Sequence, residues 1–351
     1  MTDHMTIDGR SIGSGCAPYV IAELSGNHNG DIERAFAIME AARDAGADAI
    51  KLQTYTADTM TIDHDGPGFV VDLPLWKGRK LYSLYQEAHT PWDWHEALFA
   101  KAKELGITIF SSPFDATAVD FLEDLGAPAY KIASFENVDV PLIKKVAATG
   151  KPLIISTGMA TLEEIEDAVS AARGTGCTEL CLLHCVSSYP APIEDTNLAN
   201  IAVLREKFGV LAGLSDHTMG TTVAVAASAL GASVIEKHFT LARADGGVDS
   251  AFSLEPDELR ELVETTRVAA TAIGQVSFGA KSAEQDSLVY RRSLYAVADI
   301  QKGEVFGKNN VRSIRPGYGL KPTHYQSILG KIAVRNIRYG EALSWDVVED
   351  S

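Results

Sequence analysis

Short apolar runs alternate eight times with amphipathic helical segments between residue 19 and about residue 275. In one helical segment, 31–45, Ala35, Ile38, Met39 and Ala42 recur at helical spacing. Eight strand–helix units in about 260 residues have the number and size of a closed (β/α)8 TIM barrel. An open doubly wound sheet is the competing fold, but no Gly-x-Gly-x-x-Gly follows the first strand. The predicted strands are 19–24, 49–53, 108–112, 129–134, 153–157, 179–186, 213–217 and 234–239.

The sequence changes in character after residue 279. Strand-like runs at 293–298 and 332–334 are broken by turns, with little helical periodicity beyond 325–329. We therefore predict a barrel domain at 1–279, a polar linker at 280–291 and a small β-rich domain at 292–351. Within the barrel, a long aromatic segment at 55–91 follows the second strand, where barrels build substrate pockets.

Composition excludes several classes of protein. The net charge of −16 argues against nucleic-acid binding, which needs a clustered basic surface. We find neither a secretory signal nor an apolar run long enough to span a membrane, and therefore expect a cytoplasmic protein. Cys16, Cys177, Cys181 and Cys185 match neither a disulfide framework nor a structural zinc site, so we expect reduced thiols, mostly buried.

Polar side chains stand at the carboxyl end of each predicted strand, where a barrel carries its chemistry. Unpaired buried charge costs several kcal/mol, so lysine and histidine at the ends of apolar strands are rarely there for packing alone. The strand-end residues are Glu23, Lys51, Gln53, Ser112, Lys131, Ser134, Glu136, Ser156, Thr157, His184, Ser187, Tyr189, Ser215, His217 and His238.

His217 and His238 end successive strands and are candidate ligands of one divalent metal. A hydrogen-bonded pair of rim histidines is the structural alternative. His184 lies inside its strand, and we expect a structural role for it.

Lys51 and Lys131 are candidates to clamp a phosphate and a carboxylate, with a Schiff-base lysine or a surface lysine as the alternatives. The serines at the strand ends add neutral donors to an anion pocket. Glu23 and Glu136 are candidate acid–base groups, or else ion-pair partners of the neighbouring lysines.

Many local motifs resemble the sialic acid synthase family in order and spacing, over nearly the whole chain. In the small domain, Arg-Arg-Ser-Leu at 291–294 and Arg-Pro-Gly-Tyr-Gly at 315–319 resemble its antifreeze-like (SAF) domain. The barrel motifs are Ala-Glu-Leu-Ser-Gly-Asn-His-Asn-Gly at 22–30, Lys-Leu-Gln-Thr at 51–54, Ser-Ser-Pro-Phe-Asp at 111–115, Tyr-Lys-Ile-Ala-Ser at 130–134, Ser-Thr-Gly-Met at 156–159, His-Cys at 184–185, Gly-Leu-Ser-Asp-His-Thr at 213–218 and Glu-Lys-His-Phe-Thr at 236–240.

The resemblance implies a reaction in which C3 of phosphoenolpyruvate attacks the aldehyde of an open-chain amino sugar, with loss of phosphate by C–O cleavage. It implies a divalent metal on His217 and His238, typically Mn²⁺, with Mg²⁺ or Co²⁺ possible. Glu23 would contact metal-bound water or the developing hydroxyl, and Glu136 would transfer a proton. Phosphoenolpyruvate would be held by Lys51, Ser112, Lys131, Ser134, Ser156 and Ser215.

The sugar side of the site also follows from the resemblance. Asp249 would bind the sugar, and Arg315 of one subunit would contact its N-acyl group in the barrel of the other, in a domain-swapped homodimer. Sialic acid synthases place Asn after the His-Cys motif where this chain has Ser187, which is expected to alter substrate contacts. Gln53, Ser187 and Tyr189 complete the expected substrate-binding set.

Four segments resemble the branch of the family that makes pseudaminic acid, at 54–61, 81–85, 90–95 and 120–123. The implied aldehyde is 2,4-diacetamido-2,4,6-trideoxy-L-altrose, and an aromatic-rich loop suits its methyl and acetamido groups. Three alternatives stay open: synthesis of N-acetylneuraminate or legionaminate by the same chemistry, a Schiff-base pyruvate aldolase or lyase, and a non-enzymatic binding module.

Overall fold

The computed structural model describes residues 3–72 and 74–349, which belong to two compact units. The units span Met1–Gly274 and Gln275–Ser351. Within the described residues, no helix combines the length and the apolar character needed to cross a membrane.

A short antiparallel hairpin, β1 (His4–Ile7) and β2 (Arg10–Gly13), precedes the barrel. In the described part of the chain, eight further strands pair in parallel and close into one barrel, which confirms the predicted fold. These strands are β3 (Tyr19–Glu23), β4 (Ala49–Thr54), β5 (Thr108–Pro113), β6 (Tyr130–Ile132), β7 (Leu153–Ser156), β8 (Leu180–Cys185), β9 (Leu211–Asp216) and β10 (Val234–His238).

Helices follow the barrel strands and cover their outer faces. The first begins after Asp31, whose side chain accepts a hydrogen bond from the Glu33 amide, and buries Ala35, Ile38 and Met39. The helices of this unit are α1 (Ile32–Asp44), α2 (Ala57–Met60), α3 (Leu81–Ala88), α4 (His95–Leu105), α5 (Ala116–Asp124), α6 (Val140–Ala147), α7 (Leu162–Gly174), α8 (Asn200–Phe208), α9 (Thr222–Ala229) and α10 (Pro256–Ile273).

Alternate residues of each strand face opposite sides of the barrel wall. The outward residues form a large apolar core with the helices, whereas the inward residues of the amino-terminal half form a second apolar cluster. The hairpin adds Met5, Ile7 and Ile12 to that second cluster. The sequence analysis did not predict the hairpin, which the Arg10–Asp48 ion pair of 2.9 Å ties to the barrel.

The long segment between β4 and α4 contains α2 and α3 and packs through its aromatic rings. Tyr55 makes edge contacts with Tyr85 and Phe114, with ring centroids 5.8 and 5.2 Å apart. Trp92 stacks on Phe121 at 4.7 Å. These contacts order the segment at the carboxyl-terminal mouth of the barrel.

The second unit has a small apolar core of its own, which includes Leu294, Phe306 and Leu343. Strands β11 (Ser293–Ala296) and β12 (Val311–Ile314) pair antiparallel, and one short helix, α11 (Tyr325–Ile328), follows. The predicted run at 332–334 forms isolated bridges instead of a regular strand. The segment predicted as a linker contains the 3₁₀ helix Ser282–Tyr290.

Candidate active site

The inward-facing side chains change from apolar to polar at the carboxyl-terminal ends of the strands. Strand pairing places Glu23 beside Lys51, and Ser215 beside Glu236. These side chains are buried, and they lie in one layer directly above the apolar interior of the barrel.

Two lysines share one carboxylate at the centre of this layer. Glu236 Oε1 lies 3.1 Å from Lys131 Nζ, 3.6 Å from Lys51 Nζ and 3.3 Å from the Ser215 hydroxyl that donates to it. Lys51 also forms an ion pair with Glu23 and donates to Ser112 Oγ at 3.2 Å. The predicted lysines are therefore neighbours, held in a neutral cluster of two ammonium groups and two carboxylates.

Burial and pairing act in opposite directions on the pKa values of this cluster. Burial alone would raise the pKa of Glu236, but Lys131 and Lys51 outweigh it and hold that pKa below its usual value. Burial would lower the pKa of Lys51, but the two carboxylates raise it overall. Burial raises the pKa of Glu23 to about 7. The Lys51 ammonium group opposes this rise, and the nearby Glu236 carboxylate adds to it.

Two serine hydroxyls lie against Gly158, just after β7. The Gly158 amide donates to Ser134 Oγ at 3.2 Å, and a Cβ at this position would lie 2.7 Å from that oxygen and collide with the Ser187 hydroxyl. Ser156 Oγ, at the end of β7, is buried and has no hydrogen-bond partner among the described residues. Ser134, Ser156 and Ser187 are therefore candidate neutral donors to an anion.

His217 and His238 lie side by side at the mouth, with ring centroids 5.4 Å apart. His217 Nδ1 donates to the Val186 carbonyl at 2.9 Å, which leaves Nε2 as the unprotonated nitrogen of the neutral ring. Burial and the neighbouring His217 hold the pKa of His238 well below its usual value, so its imidazole is neutral. Burial would lower the pKa of His217, but the neighbouring Cys185 raises it overall, so His217 Nε2 offers a lone pair only after it has lost its proton.

The histidine pair fits an open metal site better than a closed one. His238 Nδ1 is buried and has no hydrogen-bond partner within residues 3–72 and 74–349. The described residues contain no group of three or more His, Cys, Asp or Glu side chains able to hold a metal. Two imidazole ligands with the remaining positions left to water and substrate suit a Lewis-acid metal.

His184 faces away from this pair. It lies on the outward side of β8, where its Nε2 donates to the Thr196 carbonyl at 2.6 Å. Its structural role agrees with the sequence analysis.

Asp249 lies in the loop after β10 and reaches the polar layer through Ser25. The Ser25 hydroxyl donates to Asp249 Oδ2 and accepts from Gln53 Nε2 at 3.1 Å, and Gln53 also donates to Glu23 Oε1 at 3.0 Å. Ser25 has a φ of 48°, a left-handed conformation that is uncommon outside glycine and often found at functional sites. Asn27 fixes the loop by donating to the Phe239 carbonyl at 2.9 Å.

Glu136 lies on the rim, after β6. Its Oε2 is buried without a hydrogen-bond partner in the described part of the chain. Burial raises the pKa of Glu136 to about 7, against a smaller opposing effect of its own backbone amide and of Lys131. A carboxyl group with this pKa can both give and accept a proton near neutral pH.

The structure gathers every predicted site residue of the barrel at one mouth, including Tyr189, whose ring lies 4.4 Å from that of His217. Arg315 lies on the second unit and is exposed. The sequence analysis missed Glu236 and Ser25. Glu236 could have been found from its spacing, because a residue two positions before His238 faces the same side of a strand.

A closed parallel barrel with this polar layer at its carboxyl-terminal mouth defines the protein as a (β/α)8-barrel enzyme. The chain belongs to the NeuB family, whose model matches residues 38–278, and a SAF domain model matches residues 291–349. The resemblance found in the sequence is thereby confirmed.

Relatives at high identity cover nearly the whole chain. A pseudaminic acid synthase of Campylobacter jejuni is 46% identical over 325 residues, which are 93% of this chain and 95% of the relative. A pseudaminic acid synthase of Helicobacter pylori is 44% identical over 95% of this chain and 98% of its own. The crystal structure of an N-acetylneuraminic acid synthetase from Leptospira borgpetersenii has a TM-score of 0.74 at 32% identity, covering 82% of this chain and 96% of that one.

Proposed function

We propose that this chain is a pseudaminic acid synthase, a transferase that condenses phosphoenolpyruvate with 2,4-diacetamido-2,4,6-trideoxy-β-L-altropyranose and water. The products are pseudaminic acid and inorganic phosphate. The observation that carries the proposal is the meeting of two paired lysines, a group of serine hydroxyls and two neighbouring histidines at one barrel mouth. The relatives at 44–46% identity support the choice of sugar.

Phosphoenolpyruvate is an anion at both ends, and the site offers separate groups to each end. We assign the carboxylate to Lys51, Ser112 and Ser215, and the phosphate to Lys131 and the hydroxyls around Gly158. The neutral cluster supplies no net positive charge. Binding of the anion is therefore expected to depend on a cation.

His217 and His238 would hold the divalent cation, Mn²⁺ by the family resemblance and Mg²⁺ or Co²⁺ otherwise. When bound, the cation would polarise the aldehyde carbonyl. The neutral state of His238 and the hydrogen bond from His217 to Val186 orient both rings for this role.

The bond changes need one proton delivered and one removed. C3 of phosphoenolpyruvate attacks the aldehyde carbon, and Glu136, protonated up to about pH 7, gives its proton to the aldehyde oxygen. Water then adds to C2 and loses a proton to Glu23. The adduct collapses by breaking the bond between C2 and the phosphate oxygen. The C2 hydroxyl gives its remaining proton to the departing phosphate and becomes the carbonyl of the keto acid.

Asp249 and Gln53, which are joined through Ser25, and Tyr189, which packs on His217, would hold the sugar. Arg315 would complete the sugar site of a second copy in a domain-swapped homodimer. This part of the proposal rests on the family resemblance.

Phosphate release from phosphoenolpyruvate with Mn²⁺ tests the function. The 6-deoxy altrose, N-acetylmannosamine and the legionaminate precursor are compared side by side, with and without EDTA. We expect release with the altrose and none after EDTA treatment. Release with another aldehyde alone would move the enzyme to a sister activity, and no release with any of them would overturn the synthase proposal.

The Schiff-base alternative makes a different prediction. An aldolase of that kind needs a neutral lysine amine, whereas both site lysines are paired with carboxylates. Borohydride trapping with pyruvate should therefore leave no covalent adduct on Lys51 or Lys131, and an adduct on either residue would favour the aldolase.

A further inference from the structure

Two aromatic rings lie against the two histidines, and a third packs on one of those rings. Tyr189 follows β8, and its ring centroid lies 4.4 Å from that of His217. Phe252 follows β10 and lies 4.9 Å from His238. Trp76 comes from the long segment between β4 and α4, and its ring lies 5.9 Å from that of Tyr189.

The indole of Trp76 has no polar atom left to offer a ligand. Its only hydrogen-bond donor, Nε1, donates to the Val248 carbonyl at 3.1 Å. This bond also joins the segment to the loop that carries Asp249. Phe252 is almost completely buried, whereas Trp76 is half-buried and has apolar ring surface left for a ligand.

We propose that Trp76 is a specificity-determining residue whose indole receives the apolar substituents of the aldehyde. It would thereby favour a 6-deoxy diacetamido sugar over N-acetylmannosamine. The inference rests on the proposed function, because condensation places the aldehyde carbon beside His217 and His238, and Tyr189 joins His217 to Trp76.

The preference follows from desolvation. Burial of a methyl group or an acetamido methyl against the indole lowers the free energy, because apolar surface is removed from water. A hydroxyl at the same place loses its hydrogen bonds to water and gains no new partner, which raises the free energy. An apolar pocket discriminates against an added hydroxyl by about ten- to a hundredfold. Trp76 would supply a measurable share of that factor.

Two substitutions separate the apolar surface of Trp76 from its hydrogen bond. Both Trp76→Phe and Trp76→Gln remove the bond to Val248, but only the glutamine offers a donor and an acceptor to a sugar hydroxyl. The measured quantity is the ratio of kcat/KM for the 6-deoxy altrose to kcat/KM for N-acetylmannosamine, with Mn²⁺ and saturating phosphoenolpyruvate. We expect the ratio to fall about tenfold in Trp76→Gln and to stay within about threefold in Trp76→Phe.

Trp92 provides the matched control. Its Nε1 also donates to a backbone carbonyl at 3.1 Å, that of Tyr55, but its ring stacks on Phe121 and not on the histidine group. Trp92→Gln should leave the ratio unchanged, and the KM for phosphoenolpyruvate should change in none of the variants. A thermal unfolding curve for each variant verifies that the barrel is folded.

An active wild type with an unchanged ratio in Trp76→Gln would overturn the role of Trp76 alone. An equal fall in Trp92→Gln would do the same, because it would show a general effect of the segment. A wild type that releases no phosphate with any aldehyde would overturn the proposed function together with this inference.

Discussion

The Glu236 carboxylate lies 3.1 Å from the Lys131 ammonium group, and both side chains are almost completely buried. The same carboxylate oxygen is 3.6 Å from Lys51 Nζ. The shared carboxylate holds both lysines in place, although burial still lowers the pKa of Lys131. An acidic residue therefore sets the distance between the two ammonium groups.

Glu236→Gln removes the negative charge that pairs with Lys131 and Lys51. Breaking a buried ion pair costs a few kcal/mol, so we expect Tm to fall by roughly 5 °C in the absence of ligand. An anion can replace the lost charge. Phosphoenolpyruvate should therefore raise Tm by more in the variant than in the wild type, as measured by thermal unfolding at several ligand concentrations.

Asp216→Asn is the matched control for this experiment. Asp216 pairs with Lys237 at 2.6 Å, and this pair is as deeply buried but lies on the outward side of the wall. It should also lower Tm, but phosphoenolpyruvate should not restore it. An equal response of the two variants to the ligand would contradict the assignment of Lys131 and Lys51 to anion binding.

His238→Ala should abolish turnover and the tight binding of Mn²⁺, because only one imidazole ligand remains. Binding is followed by the loss of the free Mn²⁺ signal in electron paramagnetic resonance, which needs no activity. His184→Ala is the control, since His184 faces outward and donates to the Thr196 carbonyl. Full Mn²⁺ binding by His238→Ala would falsify the metal assignment.

Glu136→Gln should stabilise the protein at high pH while slowing the reaction. Burial raises the pKa of Glu136 from 4.5 to about 7, so the folded state holds its proton more tightly than the unfolded state. Stability is therefore lost as the pH rises from 4.5 to 7, and above pH 7 the folded state bears a cost of about 3 kcal/mol. The variant avoids that cost.

Urea unfolding at pH 5 and pH 8 measures the effect. The gain in the free energy of unfolding should be below about 1 kcal/mol at pH 5 and about 3 kcal/mol at pH 8. Glu264→Gln, at an exposed position of α10, should show no such difference. A gain that does not depend on pH would mean that Glu136 ionises as freely in the folded state as in the unfolded one.

Arg315→Ala and His238→Ala should complement each other if Arg315 acts in the barrel of a second copy. A mixed dimer would contain one barrel with an intact metal site that also receives an intact Arg315. Co-expression of the two inactive variants should then restore roughly a quarter of the wild-type activity, as expected for random pairing of two-site dimers. No recovery in dimers shown to be mixed would place Arg315 in its own subunit or outside the site.

The sequence predicted the barrel because its period of strand and helix is local. In β10, for example, side chains alternate between the two faces of the strand. Glu236 and His238 therefore face the inside of the barrel, and Lys237 faces the outside. The hairpin β1–β2 was missed because it is held by contacts with the barrel, such as the ion pair of Arg10 with Asp48. Those contacts cannot be read from a short polar segment.

The sequence predicted which residues belong to the site, but not which of them form ion pairs and hydrogen bonds with each other. Strand ends identified Lys51, Lys131 and the two histidines, since charge at the end of an apolar strand is informative by itself. The roles of Glu236 and Ser25 depend on residues far away in the sequence, namely Lys131 and Asp249. Only closure of the barrel brings those pairs together.

The sequence by itself therefore determined the fold, the family and the mouth at which chemistry takes place, because periodicity and strand-end polarity are properties of neighbouring residues. The tertiary structure decided which carboxylate each lysine shares, which histidine nitrogen is free and which indole packs on Tyr189. These features depend on distances between distant parts of the chain, and those distances are fixed only when the eight strands pair in register.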